Sequence, residues 1–217
     1  MCGRFTLTID ISRVAQRFGV APSIQVSPRY NVAPTQDVVT IMRNGTAHLD
    51  LLRWGLIPSW AKDASGGARM INARAETLAE KPSFKRLLHA RRCLVVADGF
   101  YEWKQEHDGK TPMYITLKDQ EPFAFAGLWD AWKSPEGQLV RTCTIITTEP
   151  NELMASIHNR MPAILPQQAI EEWLDPAQRD DQALLSLLKP YPTNEMAARP
   201  VSRKVNSPKY DSAELIA

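Results

Sequence analysis

Residues 38–54, VVTIMRNGTAHLDLLRW, contain two strand-like runs on either side of Asn44-Gly45. An Asn-Gly pair between such runs is a strong signal for a β-hairpin, because both residues tolerate the positive φ angles of a two-residue turn. The pattern therefore predicts strands over 38–43 and 46–54 joined by a tight turn. This hairpin makes an antiparallel sheet the starting point for the fold.

Five further strand-like segments follow, at 93–97, 100–104, 112–117, 122–129 and 140–147, and the tail suggests one or two short strands. Short helices are predicted at 10–19, 83–90, 149–156, 166–174 and 178–188. The order shows no βαβ alternation and no glycine-rich phosphate loop. We therefore predict an α+β fold with a curved, mostly antiparallel, barrel-like sheet and short peripheral helices.

The composition predicts one soluble domain over residues 1–217. No Gly/Ser linker, repeat or low-complexity tract divides the chain. No apolar run approaches the roughly 20 residues that a membrane span needs. Polar Thr6, Thr8 and Asp10 stand where a signal peptide would be apolar, so we expect a cytoplasmic protein that associates with the nucleoid when bound to DNA.

The three cysteines are Cys2, Cys93 and Cys143. An odd number of distant cysteines without a C-x-x-C pair argues against a disulfide framework or a structural zinc site. Cys93 and Cys143 lie in apolar strand-like runs, which predicts inert core thiols. We expect neither a metal nor another cofactor.

Two stretches are basic without any acidic residue, although the net charge is only +2. Residues 81–92 contain five lysines and arginines, and residues 199–209 contain four. Each stretch could face phosphates, or it could be a solvated surface balanced by acids elsewhere.

Cys2 follows the initiator methionine directly. Removal of Met1 would leave a 1,2-aminothiol, with an amine of pKa about 7.7–8.0 beside a thiol of about 8.5. The amine can condense with an aldehyde to an imine, and the thiol can then close a five-membered thiazolidine. The alternatives are an incidental cysteine or a lipid-attachment site, and the latter is disfavoured because nothing apolar precedes Cys2.

Three other segments carry polar groups suited to chemistry. Asn72 could orient an amine or thiol, and Arg74 would share its face of an extended segment and could hold a phosphate. Glu102 lies in an aromatic strand, where burial would raise its pKa and suit it to proton transfer. His158 is titratable and stands two residues from Arg160. Taken singly, each has an ordinary structural alternative.

These segments occur within six ordered motifs: MCGRF at 1–5, RYNVAPT at 29–35, RWGLIPSWA at 53–61, INARAET at 71–77, DGFYEW at 98–103 and IHNRMP at 157–162. Together they resemble the SOS-response-associated peptidase (SRAP) family across nearly the whole chain. The resemblance implies a sensor of abasic sites in single-stranded DNA that crosslinks itself to the sugar aldehyde, with weak lyase activity from the imine.

The resemblance also implies roles for individual residues. Cys2 supplies both nucleophiles, Asn72 positions the terminus, Glu102 assists proton transfer and His158 exchanges protons with sugar oxygens. Contacts to DNA are expected from Arg4, Arg74 and Arg160 at phosphates, and from Asn31, Pro34 and Trp60 beside the lesion. No obligatory protein partner is expected.

Three other functions remain open at this stage. The first is a thiol peptidase that removes its own methionine, with Cys2 as the acyl-transfer nucleophile and Glu102 or His158 as the base. The second is an N-terminal-nucleophile amidotransferase, and the third is a non-catalytic single-strand binding module. Among these functions, only aldehyde capture needs the free amine and the thiol together.

Overall fold

The computed structural model describes residues 2–217, so Met1, whose removal is predicted, lies outside the described residues. The strands are β1 Arg4–Leu7, β2 Arg29–Val32, β3 Asp37–Asn44, β4 Thr46–Trp54, β5 Asn72–Arg74, β6 Arg92–Ala97, β7 Gly99–Glu106, β8 Gly109–Leu117, β9 Phe123–Lys133, β10 Leu139–Thr148, β11 Met161–Pro162 and β12 Met196–Pro200. The α-helices are α1 Ile11–Phe18, α2 Pro82–Ala90, α3 Glu152–Ala155, α4 Gln167–Leu174 and α5 Asp181–Ser186.

The strands form two sheets. One has the order β12-β8-β7-β1-β2, and the other has the order β11-β10-β4-β3-β6-β9, with β5 added on β10 and a further pairing between β10 and β9. The pairings of β10 with β4 and with β5 are parallel, while the other recorded pairings are antiparallel. This architecture confirms the predicted α+β class with a curved, mostly antiparallel core.

The predicted hairpin is present as β3 and β4, which pair from Asp37 opposite Arg53 to Asn44 opposite Thr46. Gly45 forms the bend between them with φ +77°. Glycine reaches this left-handed backbone region without the steric cost that a Cβ atom imposes.

One of the two large core clusters lies between the two sheets. Phe5 of β1 packs against Trp54 of β4 and Phe125 of β9, with ring centroids 5.2 and 5.9 Å apart. Such aromatic pairs contribute about 0.5–1.5 kcal/mol each beyond their buried area. The other large cluster lies on the outer face of the larger sheet, which helices α1, α2, α4 and α5 cover and where Trp173 of α4 donates its indole N–H to Cys93 O at 3.0 Å. The N-terminal segment is therefore anchored in the core.

Cys93 and Cys143 are free and fully buried, which confirms them as core thiols. Burial raises the pKa of both thiols well above the usual range, because the interior disfavours the thiolate.

The helices occur where they were predicted, but two are shorter. Asn151 begins α3 by accepting a hydrogen bond from Met154 N–H, and Asp180 begins α5 by accepting from Gln182 and Ala183. Because these side chains cap the helices, the residues before them stay extended. Pro166 is the N-cap of α4, so this helix begins one residue later than predicted. Within residues 2–217, no helix is long and apolar enough to cross a membrane.

Arg92 does not belong to the basic surface that the sequence suggested for residues 81–92. It is buried, and its guanidinium donates to four backbone carbonyls, those of Leu88, Trp173, Asp175 and Gln178. It therefore ties β6 to the helical layer and is closed to phosphates. Lys81, the N-cap of α2, and Lys85 and Arg86 within the helix are exposed.

The second basic stretch is also partly used by the fold. Arg199 donates to the backbone carbonyls of Ile216 and Ala217, and its guanidinium lies 5.5 Å from the Tyr114 ring centroid. Lys204 lies 3.5 Å from the Glu214 carboxylate. These contacts hold the C-terminal segment against the smaller sheet.

Candidate active site at the end of strand β10

The C-terminal end of β10 brings together segments that are far apart in the sequence. β5 runs parallel to it, with Asn72 opposite Ile145 and Arg74 opposite Thr147. β11 pairs with the same end from the other direction, so the preceding residues 158–160 lie beside it. Trp54 fixes the entry to β5 by donating its indole N–H to Ile71 O at 2.9 Å.

Cys2 is held at this end by Asn72. The side-chain Nδ2 of Asn72 donates to Cys2 O at 2.9 Å, and its Oδ1 is buried without a hydrogen-bond partner among the described residues. Cys2 itself is fully buried, and its Sγ lies 4.0 Å from Arg4 O. Burial, with the nearby Glu102 charge, raises the pKa of the thiol far above its ordinary value. Asn72 therefore lies beside the chain terminus that it is expected to position.

Glu102 reaches the same place from β7. Arg4 of β1 pairs with Tyr101, so the next residue on β7 lies beside the chain leading to Cys2. Glu102 is only 2% exposed, and burial raises the pKa of its carboxyl group, while the charge of His158 opposes that rise. The predicted desolvation of Glu102 is therefore confirmed, and it is caused by tertiary packing.

His158 follows α3, where its backbone N–H donates to Met154 O at 2.7 Å. Its ring Nδ1 accepts from Arg160 N–H at 3.0 Å and lies 3.2 Å from Arg160 O. This nitrogen thus has a donor beside it when the ring is neutral and an acceptor when the ring is charged. The Arg160 backbone can therefore orient the ring in either protonation state without rearrangement.

Arg4 and Asn31 are bound to the C-terminal segment. Nη1 of Arg4 donates to Asn31 Oδ1 at 2.9 Å and to Val205 O at 2.7 Å. The Asn31 side chain donates to three backbone carbonyls, those of Val205, Ser207 and Tyr210. Asn31 is fully buried, so any contribution it makes to DNA binding passes through its neighbour Arg4.

Arg160 is only 15% exposed and forms a two-pronged ion pair with Glu76. Nη1 lies 2.6 Å from Oε1, and Nη2 lies 2.9 Å from Oε2. Nη2 also donates to Thr147 O at 2.6 Å, which ties the side chain to the end of β10. Nothing in the local sequence indicates this pairing, because Glu76 and Arg160 stand 84 positions apart.

Three predicted DNA contacts lie at the surface of this structure. Arg74 is exposed, and its guanidinium makes no ion pair or hydrogen bond with another residue of the described chain. Trp60 is 68% exposed in the loop after β4. Pro34 is half-buried in the turn after β2, beside Thr35, which has φ +72°. These groups can meet a ligand without unpacking the core.

Residues 1–208 match the sequence profile of the family described as SOS response associated peptidase (SRAP). The chain belongs to this family. The matched region contains all six motifs quoted above. Its fold brings Cys2, Asn72 and Glu102 together.

Several relatives have names that describe a process. The abasic site processing protein YoqW of Bacillus subtilis is 52% identical over 100% of this chain and 99% of its own length. The abasic site processing protein HMCES of Gallus gallus is 36% identical over 76% of this chain and 56% of its own. A solved structure from Bacteroides thetaiotaomicron superposes with a TM-score of 0.91 at 32% identity, covering 99% of this chain and 98% of that one.

Proposed function

We propose that this protein processes abasic sites in single-stranded DNA by capturing the ring-opened sugar with Cys2. The observation that carries the proposal is the placement of Cys2, whose carbonyl oxygen is bound by Asn72 at 2.9 Å and whose thiol lies within electrostatic reach of Glu102. The names of the full-length relatives support the same lesion as the target.

The reaction requires that Met1 be removed first. The Cys2 amine then attacks C1′ of the sugar aldehyde, and loss of one water gives an imine. The Cys2 thiol adds to the imine carbon and its proton passes to the nitrogen, which closes the thiazolidine. The adduct has the mass of protein plus DNA minus one water. If β-elimination overtakes ring closure, the strand is cut, so we expect weak lyase activity beside capture.

The neighbouring side chains fit the proton transfers of this route. Imine formation needs a proton for the departing hydroxyl, and a buried carboxyl with a raised pKa retains its proton closer to neutral pH. His158, held at Nδ1, can exchange protons with sugar oxygens. The unpartnered Asn72 Oδ1 can accept from the freed amine and keep it aimed at the aldehyde.

The DNA strand is proposed to bind through phosphates and stacking. Arg74 is the guanidinium best placed for a phosphate because it is exposed, and Arg160 lies at the same end of β10. Arg4 is the third expected phosphate contact, and its guanidinium is bound to Asn31 and to the carbonyls of Val205 and Asn206. Trp60 can stack on an unpaired base, a contact typically contributing about 1–3 kcal/mol without sequence preference. Such contacts suit a target that lacks a base.

The proposal is tested with Met1-processed protein and single-stranded DNA carrying one abasic site. We expect a heat-stable band on a denaturing gel whose intact mass equals protein plus DNA minus one water. DNA without the lesion and protein with an acetylated terminus serve as controls and should give no band. Absence of the adduct with the lesion present would favour a peptidase or a simple binding function.

Replacing Arg74 with alanine should weaken single-strand binding and flatten its salt dependence. One lost phosphate contact lowers the slope of log K against log salt by about 0.7. The measurement is fluorescence anisotropy over a salt series, with Arg179→Ala as the control, because Arg179 is an exposed arginine between α4 and α5. An unchanged slope for Arg74→Ala would remove its phosphate role.

The peptidase alternative is less well supported by the environment of Cys2. Acyl transfer to a thiol requires thiolate, and burial beside Glu102 disfavours that form. Addition to an imine carbon is less demanding, since a protonated imine is a much stronger electrophile than a peptide carbonyl.

A further inference from the structure

The side chains of Arg74, Glu76 and Arg160 form the rim of the candidate active site, beside the C-terminal end of β10. An ion pair joins two of them, Arg160 and Glu76. Arg160 is a proposed phosphate ligand, yet in this structure its guanidinium is already bound to a carboxylate at 2.6 and 2.9 Å. The hydrogen bond from Arg160 holds the pKa of the Glu76 carboxyl below its usual range, so Glu76 carries its negative charge at neutral pH.

Arg160 has little capacity left for a second anion. Of its five N–H groups, two point to Glu76 and a third to Thr147 O, while Nε is buried without a partner among residues 2–217. Only one N–H, on Nη1, remains for an external ligand. A phosphate would use the same paired donors that now hold the carboxylate, because the guanidinium fork matches both groups.

Glu76 also acts on the second arginine of the rim. Arg74 stands two residues before it, and its charge contributes to the lowered pKa of Glu76. Arg74 is exposed, whereas Arg160 is mostly covered. The side chains of Arg74, Glu76 and Arg160 together carry a net charge of +1. Glu76 therefore halves the charge of +2 that the two arginines would present alone.

We propose that Glu76 occupies the phosphate position on Arg160 in the DNA-free protein and thereby lowers affinity for intact single strands. The inference rests on the proposed function, since it takes Arg74 and Arg160 as phosphate ligands. Intact DNA then binds through Arg74 without displacing Glu76. A strand captured at Cys2 has a much higher effective concentration at the rim and can displace it. Glu76 is thus a specificity-determining residue. Because it weakens the binding of intact DNA, covalent capture becomes the step that separates abasic strands from intact ones.

The test compares Glu76→Gln with Glu80→Gln, an exposed glutamate four residues later without an ion pair in the described chain. Binding of an oligonucleotide without a lesion is measured by anisotropy over a salt series. Freeing one phosphate contact should steepen the slope by about 0.7, which corresponds to about fivefold tighter binding at 0.1 M salt. Glu80→Gln should leave the slope unchanged.

A double-mutant cycle with Arg160→Ala keeps the inference testable if Glu76→Gln alters stability. In the Glu76→Gln background, Arg160→Ala should cancel the fivefold gain, so its effect on the binding of intact DNA should be larger there than in the parent protein. Equal losses in both backgrounds, or weaker binding by Glu76→Gln, would mean that Glu76 only positions Arg160. Adduct formation by the parent protein on abasic DNA tests the proposed function separately.

Discussion

Cys2→Ala should lose the heat-stable adduct with abasic single-stranded DNA, reducing it to the level of protein with a blocked terminus. The variant keeps a terminal amine after Met1 removal and can form an imine, but it has no thiol to close the ring. An imine reverts or eliminates, so we expect transient adducts and strand cleavage in place of a stable product. Denaturing gels with and without borohydride trapping separate these species.

Two matched variants sharpen this experiment. Cys2→Ser keeps the amine and a weaker nucleophile, so most of the stability of the adduct should be lost. Cys143→Ala removes a buried core thiol on β10. It should leave adduct formation intact, because Cys143 is not one of the proposed reacting or proton-transfer residues. A heat-stable band that persists in Cys2→Ala would rule out the thiazolidine.

Glu102→Gln should slow single-turnover adduct formation by about a hundredfold, the lower end of what a positioned general acid or base contributes. Glutamine keeps the size of the side chain and can donate a hydrogen bond, but it cannot exchange a proton. The control is Glu106→Gln on the same strand, where the carboxylate is exposed and lies 3.8 Å from Lys104 Nζ. That variant should react at the parent rate.

The same substitution should leave the protein folded and make it more stable at neutral pH. Burial raises the pKa of Glu102 in the folded state, so the folded protein binds more protons than the unfolded chain between the two pKa values. The parent protein therefore loses stability as pH rises from the unfolded value of about 4.3 through the folded one, whereas Glu102→Gln does not.

Thermal melts from pH 4 to pH 8 measure this difference. We expect similar Tm values for Glu102→Gln and the parent at the acidic end, and a higher Tm for the variant at the neutral end. A Tm that collapses at every pH would instead show that the carboxyl group is needed for folding, and the rate loss could then not be assigned to proton transfer.

Much of the fold follows from local patterns. Asn44-Gly45 marked the hairpin, and Asp10 and Gly19 marked the ends of α1, where Asp10 accepts from Ser12 N–H and Gly19 takes φ +65°. Strand ends were less accurate. β7 continues to Glu106 opposite Gly109, because the ladder to β8 extends beyond the hydrophobic run on which the prediction depended.

Some features of the candidate site were likewise expected from the sequence, and others were not. The family resemblance implied roles for Asn72 and Glu102 at Cys2, and the fold brings both residues to it, while burial of Glu102 was expected from its aromatic neighbours. The burial of Asn31 and Arg92 was not expected, because an asparagine assigned to DNA contact and an arginine in a basic run are expected to be exposed. Their hydrogen bonds go to carbonyls of distant segments, which the chain brings together only on folding.

The sequence by itself determined the hairpin, the capped helix, the family and the kinds of chemical group at the site, because these depend on residue identity and short spacings. Only the tertiary structure decided which groups are desolvated and which charges are already paired. Glu102 has a raised pKa because two sheets close over it, and Arg160 is bound by Glu76 because β5 and the chain before β11 meet at the end of β10. Solvation and ion pairing depend on distances in space, and those distances exist only once the sheets have packed.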